Sequence, residues 1–253
     1  MAFTVTRVAH ATVLIDFDGP LLLTDPWFSE RRGFPGYYRG EPLGIALQSL
    51  PKLDGVVSSH GHYDHYDVEA FKAYPDLSVP FAVKRGTEDK ARRAGFTDVR
   101  GLDAWETTEL GPIKATAVPG KHFVPEVTYL FEANGYTVYF GGDTLLIPEL
   151  HQLAERFPNI DLALLAVNGL QLRPMLNRPG VMNPEEAAEL TSIIKPRYAV
   201  PIHYTFHGSW LADHLILRYD GSPERYVAAA RRQAPQTRVE VLPPGQALQI
   251  PPR

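Results

Sequence analysis

Polar and apolar residues alternate over residues 4–8, an apolar run covers 12–17, and 21–24 is apolar again after the turn signal Asp18-Gly19-Pro20. A period of two, interrupted by Gly and Pro, predicts three strands joined as an antiparallel meander. Residues 26–51 break the pattern: Gly33, Pro35, Gly36, Gly40, Pro42, Gly44 and Pro51 are interleaved with Trp27, Phe28, Phe34, Tyr37 and Tyr38. This predicts a long irregular segment, either a substrate lid or a subunit contact, because loops of that length in compact domains tend to be functional.

Beyond it, strands are predicted over 54–59, with Val56 and Val57 at the centre, over 78–83 and over 113–118. Residues 127–132 and 136–140 read as a hairpin around Asn134-Gly135, a pair suited to a tight turn with positive φ. Helices are predicted over 68–74 with Asp67 as N-cap, over 87–94 closed by Gly95, over 147–157, and over 223–233. A further helix runs to about Ile194, with Asn183 as its cap, Pro184 in first position, and Glu185 and Glu186 favourable against the helix dipole. Strands over 162–167 and 198–201, and near Val239 and Leu248, complete the pattern. Strands dominate early and alternate with helices later, with no linker between, which predicts one layered α/β domain over 1–253.

Composition narrows the function classes. The chain has 253 residues, 44% apolar and 21% charged, enough for a real core. Its net charge is -4, and the basic pairs Arg31-Arg32, Arg92-Arg93 and Arg231-Arg232 are scattered, so no nucleic-acid partner is expected. No apolar run nears the roughly 20 residues of a membrane span, and the start shows no signal-like apolar core. The expectation is a cytoplasmic protein without a membrane partner. There is no cysteine, which excludes disulfides, thiolate metal sites and a cysteine nucleophile.

The chemistry concentrates in the histidines. Three of nine fall in the run His60-Gly61-His62-Tyr63-Asp64-His65, directly after a predicted buried strand. Imidazole nitrogen and carboxylate oxygen are ligands for zinc, manganese or iron. Gly61 is expected to let the backbone turn so that His60 and His62 converge on one ion while Asp64 and His65 point to another. Three more strand ends repeat the theme: Val118-Pro119-Gly120-Lys121-His122, Phe140-Gly141-Gly142-Asp143-Thr144 and Val200-Pro201-Ile202-His203-Tyr204. Together they form a constellation rather than isolated polar residues.

These residues resemble the metallo-β-lactamase superfamily. Its His-x-His-x-Asp-His hallmark is present as His60, His62, Asp64 and His65, and its later single ligands correspond to His122, Asp143 and His203, in the family's order. The stretches His10-Ala11-Thr12-Val13-Leu14-Ile15, Thr24-Asp25-Pro26-Trp27 and Met182-Asn183-Pro184-Glu185-Glu186-Ala187 are similar to one branch. That branch holds the bacterial L-ascorbate-6-phosphate lactonase and the N-acyl phosphatidylethanolamine phospholipase D type.

The resemblance implies an αββα sandwich, two mixed sheets packed face to face with helices outside, and two divalent metal ions at one edge. Zinc is the first expectation, with manganese, iron and nickel also suited to nitrogen and oxygen ligands. His60, His62 and His122 would hold the first ion, Asp64, His65 and His203 the second, and Asp143 would bridge them. Asp25 would orient a ligand histidine. Two ligand aspartates and one hydroxide leave two divalent ions with a net charge of about +1, which suits substrates that become anionic at the reacting atom. The implied activity is hydrolysis of a small-molecule lactone or phosphoester, with Asp64 handling the proton and His207 a candidate donor to the leaving group or oxyanion. Tyr63, Lys121, Asn168 and Tyr204, next to ligand positions or at a strand end, are candidate substrate contacts. His10 is expected to hydrogen-bond beneath the metals. The rival reading is a non-catalytic metal-binding or scaffold protein on the same fold, and a homo-oligomer is left open.

Overall fold

The computed structural model describes residues 3–32 and 37–253. Met1, Ala2 and the Gly33, Phe34, Pro35 and Gly36 part of the irregular segment lie outside the described residues.

The opening meander forms as its alternation predicts: Phe3–Ala9 pairs antiparallel with Thr12–Asp16, and that strand with Leu21–Thr24. Leu21–Thr24 then continues into a parallel series, Gly55–Ser58, Phe81–Lys84 and Val99–Leu102, while Ala247–Ile250 closes the other edge. A second seven-stranded sheet has the order Arg238–Val239, Tyr198–Ile202, Leu162–Ala166, Tyr136–Phe140, Val127–Ala133, Ile113–Pro119, Thr107–Leu110. Its hairpin turns at Asn134 and Gly135, with φ of 48° and 79°, the positive values the dipeptide predicts.

The sheets stack through side chains of alternate residues. Val5, Val13, Ile15 and Val57 of the first sheet meet Tyr129, Phe131, Phe140 and Leu164 of the second. In Leu162–Ala166 the remaining residues, Ala163 and Leu165, are also buried, against Ala187, Leu190 and Tyr226 of the outer helices Pro184–Ile194 and Pro223–Gln233. A strand covered on both faces reads as one apolar run, which is why this one was visible in the sequence. On the far side, Val56, Phe81 and Val83 pack against Val68, Phe71 and Ala91 of short helices. The result is the expected αββα order. No helix of the described residues is long and apolar enough to cross a membrane.

Several boundaries differ from expectation. The helix after Asp67 spans only Val68–Phe71, and Asp67 does not cap it. Its carboxylate instead accepts from the Phe28 and Ser29 backbone N–H groups (3.2 and 2.8 Å), so it ties down the irregular segment. The element expected over 147–157 begins as a 3-10 turn, Pro148–His151, and is α-helical only over Gln152–Arg156. Val99–Leu102 and Thr107–Leu110 were not foreseen: both are four-residue edge strands carrying Arg100 and Glu109, too short and polar to show a period.

Asn183 caps as predicted. Its side chain accepts from the Glu185 and Glu186 N–H groups, and Glu186 reciprocates by accepting from Asn183 N (2.9 Å). Asn183→Ala should cost about 1 kcal/mol. Urea unfolding should show a lower midpoint with an unchanged slope.

Candidate metal centre

The residues of interest come from both sheets and meet at one edge, where strands end. Asp25 follows Leu21–Thr24, His60 follows Gly55–Ser58, Asp143 follows Tyr136–Phe140, and His203 follows Tyr198–Ile202. Backbone strain collects here: His10, Asp25, Gly142 and His203 have φ of 53°, 35°, 51° and 58°. Non-glycine residues in this region cost of order 1–3 kcal/mol each and persist where the surroundings over-determine them. Thr12 supplies part of that determination, donating from Oγ1 to the Asp25 carbonyl (2.7 Å) and accepting from Trp27 N (3.0 Å). Gly142 is required, since a Cβ there would lie 2.6 Å from Glu126 Oε1. Gly61 is not: its φ is outside the left-handed region, and a Cβ would meet only Thr87, at 3.8 Å. The turn at the histidine run is set instead by Ser58, whose Oγ donates to the carbonyls of His60 and His65 (3.1 and 3.0 Å).

Two donor clusters result. In the first, His60 Nε2 lies 2.9 Å from His62 Nδ1, and His122 Nε2 lies 3.2 Å from the same atom. In the second, Asp143 Oδ2 lies 3.2 Å from His65 Nε2 and 3.0 Å from His203 Nε2, and Asp64 Oδ2 lies 3.5 and 3.8 Å from those nitrogens. Asp143 faces both, with His122 Nε2 at 3.9 Å. The donor chemistry fits metal ions. Ring nitrogens converge tip to tip in the first cluster, His65 Nε2 and His203 Nε2 crowd one oxygen of Asp143 in the second, and Asp143 Oδ1 is buried without a hydrogen-bond partner. Buried polar atoms of that kind are costly unless something binds them.

The far sides of the rings are held. His65 Nδ1 lies 2.5 Å from Asp25 Oδ2, and Asp25 also accepts from Ser59 N and Oγ (both 2.7 Å). Asp25 therefore sits where the sequence placed it, behind a histidine of the centre. His122 Nδ1 donates to Gly180 O (2.7 Å), and His60 Nδ1 lies 3.0 Å from Ser59 Oγ and 3.4 Å from Glu126 Oε1. Glu126 was missed by the sequence reading. It is buried, it accepts from Asp143 N (2.7 Å), and it pairs with His60 as an isolated bridge between the two sheets. No local motif marks it, because its role arises only where two strand ends from different sheets meet.

Charge balance follows from burial. Burial alone would raise the Asp143 carboxyl, but His203 and His65 outweigh it and hold it well below the usual range. Asp64 behaves alike: burial raises it, and His65, with His10 and His203, pulls it well below. His65 is the converse, lowered by burial but driven well above its ordinary value by Asp143, Asp64 and Asp25. Burial pushes four of the other rings down, His122 to about 4 and His10 to about 3, with His60 and His62 also lowered, while Asp143 and Asp64 outweigh burial at His203 and raise it.

These shifts define a pH dependence for chelator-treated protein. His10, His60, His62 and His122 take up protons more readily in the unfolded chain. The stability they contribute is therefore full above about pH 6.5 and is lost as pH falls towards 4. Asp25 and Glu126, both raised by burial, oppose this over the same window. His65 and His203 are raised, so their contribution is present below pH 6.5 and lost only on the alkaline side. Glu126→Gln removes one opposing carboxyl, so urea unfolding should show stability falling more steeply between pH 7 and pH 4 in the variant than in the parent, and parallel profiles would contradict the burial argument.

The clusters open into a cavity of about 230 Å³. His62, Asp64, His122, Asp143 and His203 form its floor, and its walls are apolar, with Tyr37, Tyr63, Phe123, Leu172, Phe206 and Leu217 among them. A larger hollow of about 570 Å³ beside Phe28, Arg39 and Pro42 is more open and touches none of these ligand residues, so the smaller cavity is the site. Tyr37 belongs to Tyr37–Arg39, which pairs with Phe206–Gly208 over the centre, so the described part of the irregular segment supplies cavity wall.

The substrate-contact expectations divide. Tyr63 lines the cavity, with its hydroxyl buried and unpartnered. Tyr204 points away: its hydroxyl donates to Leu242 O (3.4 Å) and its ring lies under the Arg7 guanidinium. Asn168 is buried outside the cavity and accepts from Leu170 N (3.2 Å), shaping the loop instead. Lys121 is exposed, with its backbone N–H donating to Thr144 Oγ1, and it does not line the cavity. His207 needs the clearest correction. Alternation along its strand turns Phe206 inward and His207 outward, where it is exposed and stacks on Tyr38 with ring centroids 5.8 Å apart. His207→Ala should leave turnover unchanged, whereas loss of a general acid would cost about 10²-fold or more.

A two-sheet sandwich with histidine and aspartate clusters at one edge is the architecture of a metal-dependent hydrolase. Residues 21–204 match the β-lactamase superfamily domain. A UPF0173 metal-dependent hydrolase of Anaeromyxobacter sp. (strain K) is 30% identical over 265 residues, covering 95% of this chain and 84% of that protein. An N-acyl-phosphatidylethanolamine-hydrolyzing phospholipase D 1 of Caenorhabditis elegans is 30% identical over 228 residues, covering 79% of this chain and 63% of that protein. Among solved structures, Igni18, a metallo hydrolase of the archaeon Ignicoccus hospitalis, superposes with a TM-score of 0.74 at 20% identity, covering 98% of both chains. The chain belongs to the metallo-β-lactamase superfamily of metal-dependent hydrolases.

Proposed function

We propose that the protein hydrolyses a small phosphodiester or lactone with an apolar arm, using water activated between two divalent ions, zinc by preference. The observation that carries this is the pair of buried donor clusters sharing Asp143 at the floor of an apolar-walled cavity. His60, His62 and His122 would hold one ion, Asp64, His65 and His203 the other, with Asp143 between them. When bound, the ions supply a nucleophilic water near pH 7 and polarise the scissile bond. The protein does the rest. Asp25 keeps the Nδ1 proton of His65 in place, so that Nε2 faces the centre. Asp64, at the cavity floor and held as a carboxylate, is the group placed to take a proton. Leu172, Phe206 and Leu217 bury the apolar arm and exclude water.

Between the two substrate classes, the named activity of the nematode relative favours the phosphodiester. The same reading takes residues 1–253 as one hydrolase domain whose partner is a small molecule rather than nucleic acid or a membrane. The test is metal analysis together with hydrolysis assays on phosphodiester and lactone panels graded by apolar arm length. The expected result is about two ions per chain and a kcat/KM that rises with arm length until the cavity is full. Two bound ions with no hydrolysis of either class would favour the non-catalytic scaffold.

A further inference from the structure

His10 is a fully buried imidazole at the centre that the seven-ligand arrangement leaves unused. We propose that His10 is an eighth protein ligand, which would hold the second ion together with Asp64, His65 and His203. The proposal rests on the two-ion reading above and adds a ligand to it.

The spacing of the donors carries the argument. His10 Nε2 lies 3.4 Å from Asp64 Oδ2, and Asp64 Oδ2 lies 3.5 Å from His65 Nε2 and 3.8 Å from His203 Nε2. Donors held about 2.1 Å from one ion lie about 3.0–4.2 Å from one another. His10, Asp64, His65 and His203 each offer a donor atom within 4.8 Å of the others, so the four could share one ion with small adjustment.

The ring itself points to a ligand. Both nitrogens of His10 are buried without a hydrogen-bond partner, and a phenyl ring would fill the same space without leaving polar atoms unsatisfied. The ring is wedged between His203 and Trp27, with centroids at 4.0 and 4.9 Å. Its backbone is held as firmly. The His10 N–H donates to Glu41 Oε1 (2.8 Å), an oxygen that also accepts from Thr205 Oγ1 (2.7 Å), and the His10 carbonyl accepts from His203 N (3.4 Å). The φ of 53° that aims the ring at Asp64 is thus tied to the loop carrying His203.

The experiment is nuclear magnetic resonance of cadmium-loaded protein with nitrogen-labelled histidines, in which one-bond cadmium–nitrogen coupling marks each ligating ring directly. Coupling is expected at His60, His62, His122, His65, His203 and His10. His10→Gln should remove one of these couplings, keep those of His60, His62 and His122, and weaken binding of the second equivalent of metal by at least about tenfold. Coupling at His65 and His203 but not at His10 overturns the proposal, and the wild-type spectrum shows this even if the variant does not fold. Absence of coupling at every histidine would overturn the two-ion reading itself.

Discussion

On the proposed two-ion reading, replacing Asp143 by alanine is expected to abolish hydrolysis and to reduce bound metal to one ion at most. Asp143 is the only carboxylate whose oxygen approaches His65, His203 and His122 together among the described residues, at 3.2, 3.0 and 3.9 Å. Without it, the two donor clusters lose their shared member, and a water held by one ion no longer lies between two positive charges. One bound ion already lowers the pKa of its water from about 15.7 to near 7, and the second would stabilise the opposite oxygen of the displacement by several kcal/mol, so its loss should cost about 10²-fold or more in kcat/KM. The metal-free protein should suffer as well. His65 is raised by Asp143, Asp64 and Asp25 together, so the loss of Asp143 removes one of its three acidic neighbours and should lower stability while Asp25 and Asp64 remain. Metal analysis, substrate assays and urea unfolding read these effects separately. Asp143→Ala protein that kept two ions and turned over within tenfold of the parent would remove Asp143 from the centre.

The second large effect is expected at a residue that touches no metal. Asp25 is fully buried and accepts from Ser59 N, Ser59 Oγ and His65 Nδ1. In Asp25→Ala these donors have no acceptor, and His65 is free to change tautomer and ring orientation. Loss of such a partner typically weakens metal binding about 10- to 100-fold. Ser59 Oγ also approaches His60 Nδ1 at 3.0 Å, so the first cluster should weaken too, though less than the second. Chelator competition should resolve the two equivalents in that order. Asp25→Asn sharpens the test, because its carboxamide still accepts from Ser59 N but presents a donor to His65 Nδ1. If Asp25→Asn bound metal as tightly as the parent, orientation of His65 would not be the role of Asp25.

Both predictions depend on a site that is stiff before anything binds. Four positive-φ residues ring it, two sheets meet at the His60–Glu126 bridge, and Glu41 ties the Phe3–Ala9 strand end to the loop after His203. Preorganisation of this kind places the ligand rings without adjustment on metal binding. The cavity above is built differently, from Tyr37, Tyr63, Phe206 and other side chains of irregular segments and short strands. Those elements are where substrate preference is expected to reside, as connecting segments on a rigid scaffold commonly carry specificity.

Much of the centre was legible in the sequence because its residues follow strands whose apolar runs are long and clear. His60, Asp143 and His203 stand within three residues of the ends of 55–58, 136–140 and 198–202, and a strand end fixes which edge a residue occupies. Asp25 was legible only through the resemblance of Thr24-Asp25-Pro26-Trp27 to one branch of the superfamily. Substrate contacts were read from adjacency in the chain, which brings Tyr63 to the cavity but not Tyr204 or Lys121. Tyr204 follows His203 yet turns towards Leu242, and Lys121 precedes His122 yet is exposed. Successive residues at a strand end point to opposite sides, so the neighbour of a ligand tends to face away from it.

The sequence alone determined the layered fold, the metal-binding class of the centre and the strand-end origin of its ligands, since hydrophobic periodicity and ligand chemistry are properties of the chain. Only the tertiary structure decided that Glu126 braces His60 and Asp143, that His10 presents bare nitrogens to Asp64, and that His207 lies outside the cavity. Each of these depends on contacts between segments distant in sequence, where burial and the direction of one ring are set by close packing of two sheets, which no local pattern encodes.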